Sequence, residues 1–225
     1  EISLGLVGSE MCIRDRRKSE LKALQSQINP HFLYNTLDSI IWMAEGRKYE
    51  EVVLMTASLA RLLRQSISNE DEVVPLAREV EYAKGYLTIQ KMRYKDKLEF
   101  EIDVEPSILN IPLIKLVLQP IIENAIYHGL KYKESKGLLQ VKGFMKDGNA
   151  VLQVIDNGVG MDEETLSHIY DKHKVNYHSN GVGVYNVQKR LKLYYGENYG
   201  ITYESEKGVG TTATITIPGI QEESI

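Results

Sequence analysis

One histidine and four downstream polar segments are the parts of this chain whose residue types and spacing point to chemistry. His31 lies in QINPHFLYN, and ENAIYHG, DNGVG, NGVGV and KGVGTT follow it in that order. An imidazole near pH 7 is largely unprotonated and can therefore act as a nucleophile toward phosphorus. Glycine-rich turns and helix N-termini present backbone N–H groups to phosphate oxygens. Together these segments predict a phosphate-accepting histidine and the ATP site that serves it.

Two of the downstream segments supply side chains for that site. In ENAIYHG, Asn124 has an amide oxygen that can bind Mg²⁺ together with phosphate oxygens, and Glu123 and His128 flank it. In DNGVG, Asp156 is expected to end a strand, where its carboxylate can accept a hydrogen bond from an exocyclic amino group such as that of adenine. Each residue type is also common on polar helix faces and at turns, so the prediction depends on the segments occurring together.

The glycines of the same segments are expected to shape the site. Gly158 and Gly160 would let the backbone approach a ligand closely. Gly181 and Gly183 are expected to open a helix whose free N–H groups form an anion site, although this segment is not a Walker A motif. Thr211, in the last segment, is placed to support the aspartate from a terminal strand.

The composition is that of an ordinary globular protein. The chain has 225 residues, 43% hydrophobic and 26% charged, with a net charge of −4. That acidic balance gives no reason to expect a nucleic-acid partner. The single cysteine, Cys12, excludes a disulfide within the chain and fits the reducing cytosol. No apolar run is long enough for a membrane span.

The first sixteen residues, EISLGLVGSEMCIRDR, look foreign to the rest of the chain. They resemble translated sequencing-adapter read-through, and residues 1–16 are therefore expected to be a non-native tail, with the native protein continuing upstream. A natural linker or a frayed helix is the alternative. Residues 17–70 are expected to form a helical unit, and residues 71–225 a second, nucleotide-binding unit.

The helical unit is predicted to contain His31 on its outer face. A helical pattern runs from Arg17 to Gly46. On a helical wheel, Asn35 and Asp38 lie on the same side as His31. The opposite side is predicted to be the buried apolar stripe, formed by Leu33, Leu37, Ile40 and Ala44.

A second helix with its own apolar face is expected between Val52 and Ile67, which makes a helical hairpin. One hairpin has too little core to be stable alone, and two hairpins complete a four-helix bundle, so a homodimer is expected. Packing of the hairpin on the C-terminal part of its own chain is the alternative.

Residues 71–225 are predicted to form an α+β sandwich, in which helices pack on one face of a single sheet. A long apolar helix is predicted from Ile111 to Lys131, a further helix after Asp162, and a polar lid across the site that includes Lys172 and Lys174. Other helices are predicted at 75–93 and 183–195. Strands are predicted at 98–104, 138–145, 150–155, 200–205 and 211–217.

Over about residues 17–218 the chain resembles the kinase core of two-component sensor histidine kinases of the LytS/YesM-like class. QINPHFLYNTL resembles the phosphoacceptor box of that class. QPIIENAIYHG, DNGVGMD, NGVGVYNVQKRL and GVGTTATITIP resemble its N, G1, G2 and G3 boxes. The resemblance implies a Bergerat-type (GHKL) fold, ATP and Mg²⁺ as cofactors, and the receiver domain of a response regulator as partner. It also implies an upstream membrane sensor, so that this chain is the cytoplasmic domain of an inner- or plasma-membrane protein.

The resemblance also assigns roles to single residues. It makes His31 the phosphorylated residue, Asn124 the Mg²⁺ ligand and Asp156 the adenine anchor, and Asn35 resembles a position used to orient water for dephosphorylating the regulator. The pocket is shaped by Gly158, Gly160, Gly181 and Gly183.

The general base is less well defined. The best-known histidine kinases place an acidic residue directly after the phosphoacceptor, whereas this chain has Phe32 there. Asp38 and Glu123 are the candidates, and Glu123 is preferred.

Two rival functions stay open from the sequence. A Bergerat-fold ATPase or serine kinase would leave His31 incidental, which the Asn-Pro-His-Phe-Leu-Tyr-Asn segment argues against. A non-enzymatic ATP-sensing dimerisation module would keep every nucleotide segment intact and lack only the transfer step.

Overall fold

A computed structural model describes residues 30–67, 72–169 and 181–219. The predicted N-terminal tail at 1–16, the boundary near residue 70 and most of the predicted lid, with Lys172 and Lys174, lie outside these ranges. None of the helices in the described ranges is long and apolar enough to cross a membrane.

The described chain begins with the predicted hairpin, formed by helices α1 (Pro30–Glu45) and α2 (Tyr49–Ile67). A tight turn joins them, in which Arg47 has a φ of 56° and the amide of Lys48 donates to the carbonyl of Met43 at 2.9 Å. The glutamates of the first turn of α2 favour this helix start electrostatically.

The apolar stripe predicted on α1 is partly confirmed, since Leu33 and Ile40 pack against the core whereas Leu37 and Ala44 are exposed. Leu37 is 47% exposed, whereas Phe32 is 2% exposed and Thr36 and Met43 are buried. The Phe32 ring packs on Tyr86 with 4.8 Å between ring centroids. Burial of Thr36 is tolerated because its hydroxyl donates to the Phe32 carbonyl at 2.7 Å. The helical wheel was only partly right because α1 carries apolar residues on two sides, and the packing partner determines which side turns inward.

The other apolar side of the hairpin is exposed in the single chain. Its exposed side chains are Tyr34, Leu37, Ile41, Trp42, Tyr49, Val53 and Leu54. The inner side packs on the third helix, α3 (Leu76–Tyr94), of the same chain, and one continuous apolar core joins Phe32, Leu59 and Leu62 to the buried residues of α3 and the sheet. The hairpin thus packs on its own chain and still presents a large apolar surface.

The predicted sheet is present and has five strands, β2 (Leu98–Val104), β4 (Gly137–Lys146), β5 (Asn149–Asp156), β6 (Gly200–Glu206) and β7 (Gly210–Pro218). Their order across the sheet is β2-β4-β5-β7-β6. The outer strand β2 is parallel to β4 and all other neighbours are antiparallel. Buried and half-buried residues alternate along β4, as expected for a sheet with one face covered.

The single long helix predicted from Ile111 to Lys131 is wrong. Strand β3 (Pro112–Ile114) comes first and pairs with a short strand, β1 (Val73–Pro75), that was also missed. Helix α4 (Leu118–Asn124) follows and continues directly into a π-helix (Ala125–Leu130). The apolar run could not distinguish a short buried strand from a helix, since both are apolar throughout.

Two further α-helices lie in the described residues, α5 (Glu163–Ser167) and α6 (Gly181–Tyr195), besides two 3-10 turns at Lys95–Lys97 and Pro106–Ile108. Helix α5 confirms the helix predicted after Asp162. Asp162 is its N-cap, since Oδ1 accepts from the amide of Thr165 at 3.0 Å. The hydroxyl of Thr165 also donates to Oδ1, at 2.6 Å. This bond, the amide bond and the nearby Lys207 ammonium lower the pKa of Asp162 to about 2.

Candidate functional site

A cavity of about 560 Å³ lies between helix α4 and its π-helical extension on one side and the strands β5 and β7 on the other. This volume is in the range of small-molecule and cofactor sites. Five of the residues predicted from the sequence line it together: Asn124, His128, Asp156, Gly160 and Thr211. Much of the remaining wall is apolar and suits the face of a flat ring: Ile121, Ala125, Val154, Met161, Ile169 and Ala213.

Asp156 is the polar anchor of the cavity. It ends strand β5, opposite Thr211 of β7, and is 6% exposed. Its Oδ1 accepts from the amide of Gly158 at 2.8 Å, and the amide of Thr211 also donates to the carboxylate. Burial nevertheless raises the pKa of Asp156 to about 6, because desolvation outweighs these bonds and the charge of Lys133. An ionised carboxylate here has spare lone pairs for a donor on the ligand.

Gly129, in the π-helix, leaves room for the Asp156 carboxylate. It was not singled out from the sequence. A Cβ on Gly129 would lie 2.7 Å from Asp156 Oδ1, so only glycine lets Asp156 sit against the helix. The backbone of Gly158 packs directly on that of Gly129, since a Cβ added to Gly158 would lie 2.4 Å from the Gly129 carbonyl carbon. The amide of Val159 donates to the Gly129 carbonyl at 3.1 Å. The only sequence signal was the glycine directly after His128.

Replacement of Gly129 by alanine is expected to weaken ATP binding roughly tenfold, because the added methyl group displaces the Asp156 carboxylate and weakens one buried charged hydrogen bond. Titration of ATP followed by calorimetry would measure it. Gly85→Ala is the matched control, since its Cβ would meet only Leu62 at 3.7 Å or more. Equal ATP affinities for Gly129→Ala and the wild-type chain would contradict the packing argument.

Backbone and side-chain contacts together hold the loop after Asp156, and the amide of Met161 donates to Ser205 Oγ at 2.9 Å. Gly160 has a φ of 63°, and a Cβ there would lie 2.0 Å from the carbonyl oxygen of Glu206. The amide of Gly208 donates to the Val159 carbonyl at 2.7 Å. The close approach predicted for Gly158 and Gly160 therefore involves the protein's own backbone, and Gly160 also lines the cavity.

Asn124 lies where α4 becomes a π-helix, a feature that often marks functional sites. Its Oδ1 is buried and has no hydrogen-bond partner. A buried amide oxygen without a donor is rare in folded proteins and suits a ligand that supplies positive charge. His128 lies one turn on, and burial together with the charge of Lys131 lowers its pKa, so its imidazole is neutral at pH 7.

Glu123 is not among the residues that line the cavity. Its carboxylate is buried and accepts from the side-chain amide of Gln119 at 2.7 Å. Burial raises the pKa of Glu123. Burial and, after it, the Glu123 charge raise the pKa of Tyr86, the residue that packs on Phe32. Glu123 therefore lies near Tyr86 of α3, whereas the adjacent Asn124 lines the cavity.

The remaining predicted residues lie apart from the cavity or outside the described side chains. The backbone of His31 is in α1, but its side chain is outside the described part. Asn35 is half-buried on α1 and does not line the cavity. Gly181 and Gly183 open α6 as predicted, and Gly183 lies close to Pro120 of α4.

The start of the predicted lid also contributes to the cavity wall. Glu164 and Thr165 of α5, and His168 just after it, line the cavity opposite the π-helix. Sequence reasoning placed this segment across the site and did not assign these three residues.

Two family models match the chain. One is described as histidine kinase and matches residues 19–98. The other, histidine kinase-, DNA gyrase B-, and HSP90-like ATPase, matches residues 110–221 and so includes every residue of the cavity wall.

Relatives of known name match along most of the chain. It is 37% identical to the sensor histidine kinase YesM of Bacillus subtilis over 90% of this chain and 34% of YesM. It is 33% identical to the sensor protein LytS of Oceanobacillus iheyensis over 81% of this chain and 32% of LytS. The chain thus spans about a third of the length of these relatives.

Solved structures share the fold. The catalytic domain of histidine kinase ThkA matches with a TM-score of 0.52 at 14% identity, over 66% of this chain and 99% of that domain. A blue-light activated histidine kinase of Erythrobacter litoralis matches with a TM-score of 0.51 at 17% identity, over 93% of this chain and 62% of that one. With both family models matched in order, this chain belongs to the sensor histidine kinases of the LytS/YesM-like class and contains their ATP-binding domain.

Proposed function

We propose that this chain is the kinase core of a two-component sensor. It transfers the γ-phosphoryl group of ATP to His31 and then to an aspartate on the receiver domain of a response regulator. The observation that carries the proposal is the cavity in which the Asp156 carboxylate and the unpartnered Asn124 Oδ1 face the same space. The first suits the amino group of adenine, and the second suits the charged end of the nucleotide.

Asn124 is the residue that would hold Mg²⁺. Its buried amide oxygen is a hard neutral donor of the kind that Mg²⁺ accepts alongside phosphate oxygens and water. Bound there, Mg²⁺ would neutralise phosphate charge during the transfer. His128, which is neutral at pH 7, lines the same wall and can donate to a phosphate or sugar oxygen without repelling the metal ion.

In the transfer itself, a nitrogen lone pair of neutral His31 attacks the γ-phosphorus in line. The new N–P bond forms as the bond to the β,γ-bridging oxygen of ADP breaks. The imidazole then releases a proton, and we assign its uptake to Glu123, whose carboxylate has a pKa raised by burial and lies near Tyr86, the residue on which Phe32 of the hairpin packs. Positioning contributes most of the acceleration in such transfers.

The exposed apolar side of the hairpin supports a homodimer. Seven large apolar side chains of α1 and α2 lie open in the single chain. Contiguous apolar surface of this kind marks an interaction site, and a second hairpin of the same sequence would cover it in a four-helix bundle. The proposed dimer places two copies of α1 side by side, with the cavities outside the bundle. An upstream membrane sensor would then act through the hairpin of the full-length protein.

Incubation with γ-labelled ATP and Mg²⁺ tests the proposed function. Label on the protein should be acid-labile and alkali-stable, as a phosphoramidate is, and it should require Mg²⁺. Acid-stable label would instead indicate a serine or threonine kinase. Absence of label from a chain that still binds ATP would indicate a nucleotide-sensing module.

A further inference from the structure

A buried pair of opposite charges lies outside the cavity, and the proposed transfer does not use it. Glu79 of α3 and Arg190 of α6 are both almost fully buried. Glu79 Oε1 accepts from the amide of Leu116 at 2.8 Å. Its Oε2 accepts from the amides of Val117 and Leu118 at 2.9 and 3.2 Å. One carboxylate thus binds three consecutive N–H groups at the point where α4 begins.

Arg190 binds the same turn from the other side. Its guanidinium donates to the carbonyl of Lys115 at 2.6 Å and reaches that of Leu116 at 3.5 Å. Further along α6, the hydroxyl of Tyr195 accepts from the amide of Ile114 at 3.2 Å and donates to the carbonyl of Pro112 at 3.0 Å. The backbone from residue 112 to residue 118 is therefore held by side chains from two other helices.

That backbone needs to be held because Leu116 has a φ of 60°. A branched side chain is disfavoured in this left-handed region, and such residues persist only where their surroundings impose the conformation. Here the surroundings are Glu79 at its amide and Arg190 at its carbonyl. Helix α4 has only seven residues and no side-chain cap of its own, so its direction depends on this turn.

We propose that Glu79 and Arg190 are positioning residues that hold the strained turn at Leu116 and thereby aim α4, so that Asn124 faces the nucleotide. The inference rests on the proposed role of Asn124 as the residue that holds Mg²⁺. The two ends of α4 explain the connection, since Glu79 binds its first amide and Asn124 is its last residue. Glu79 also lies on the helix whose Tyr86 packs on Phe32 of the hairpin.

Glu79→Gln in the full chain is the central test. Glutamine has one oxygen acceptor, and its amide group would turn a donor toward the N–H groups that the carboxylate now accepts. ATP affinity is measured with and without Mg²⁺. The gain in affinity on adding Mg²⁺ should fall roughly tenfold, the lower end of the effect of removing a group that orients a metal ligand. Affinity without Mg²⁺ should stay within about twofold, because Asp156 lies on the sheet and not on α4.

A matched pair of double variants separates positioning from general loss of structure. Leu116→Gly in the Glu79→Gln background should restore most of the Mg²⁺-dependent gain, since glycine adopts the left-handed conformation without strain. Leu116→Ala in the same background removes a similar part of the side chain and keeps the strain, so it should not restore the gain. Equal behaviour of the two double variants would overturn the proposal.

Amide hydrogen exchange without nucleotide gives a readout that does not depend on transfer. The amides of Leu116, Val117 and Leu118 should exchange faster in Glu79→Gln and remain protected in the wild-type chain. If wild type incorporates no label at His31 while these amides behave as expected, the kinase assignment fails and the positioning role survives. An unchanged Mg²⁺-dependent gain, or equal losses with and without Mg²⁺, would refute the positioning role.

Arg190→Lys covers the case in which Glu79→Gln does not fold. Lysine keeps the positive charge but lacks the planar fork that reaches both carbonyls. The same loss of Mg²⁺-dependent affinity is expected, with Lys189→Arg on the exposed side of α6 as the control. Full Mg²⁺-dependent affinity in Arg190→Lys would count against the proposal.

Discussion

Replacement of His31 by glutamine is expected to abolish acid-labile labelling by γ-labelled ATP while leaving ATP affinity unchanged. Glutamine is similar in size and polarity but has no ring nitrogen with a basic lone pair, so the N–P bond cannot form. ATP affinity should persist because, among the α1 residues whose side chains the structure describes (32–45), none lines the cavity. Labelling of the purified chain, with ATP binding measured on the same sample, would check both parts.

Asp38→Asn is the matched control for that experiment. Asp38 lies on the same helix, two turns beyond His31, and is exposed to solvent. Labelling should continue at a rate close to that of wild type, because we assign proton uptake to the buried Glu123. Label that persists in His31→Gln would contradict the assignment of the phosphoacceptor. Loss of label in Asp38→Asn would instead move the base from Glu123 to Asp38.

The nucleotide-facing residues could be predicted because each lies next to a local backbone feature with a sequence signal. Asp156 ends a strand and is followed by a glycine turn, and Gly181 opens a helix, as predicted. Strands β5 and β7 then place Asp156 opposite Thr211. Pairing of neighbouring strands is specified by alternating apolar residues, so the cavity wall follows from patterns within the sequence itself.

Features that depend on contacts between distant segments could not be predicted. The buried side of α1 was only partly predicted because Phe32 packs on Tyr86, a partner more than fifty positions away. The strand pair β1–β3 was missed because each strand has three residues and no periodicity to detect. Gly129 gave only a weak signal, since its role is to leave room for an Asp156 carboxylate from another element. The same is true of Glu79, which reads as an ordinary surface residue of an amphipathic helix until its three backbone partners are known.

Asp156→Asn is expected to weaken ATP binding roughly 100-fold. The oxygen of asparagine would stay with the amides of Gly158 and Thr211, which turns its NH₂ group toward the ligand. A donor would then face the amino group of adenine, and two buried donors would be left unpaired. ATP titration measures the loss, and GTP serves as a second ligand, because a 6-oxo purine presents an acceptor and should lose less. Equal losses for ATP and GTP would contradict the anchor role.

The same substitution is expected to stabilise the empty protein, and the sign follows from the raised pKa. In the folded state the pKa of Asp156 is about 6, above the usual value of 3.8. As pH rises between these values, the unfolded chain releases this proton before the folded chain does, so folding stability falls by on the order of 1–3 kcal/mol. Asparagine carries no such cost.

Thermal unfolding without nucleotide should therefore show a melting midpoint higher by about 2–8 °C for Asp156→Asn at about pH 7.5, and little difference at about pH 4. A difference that does not change with pH would mean that the buried charge is not its cause. If stability rises as binding falls, the carboxylate is retained at a cost to the fold, which is the relation expected of a group kept for its ligand.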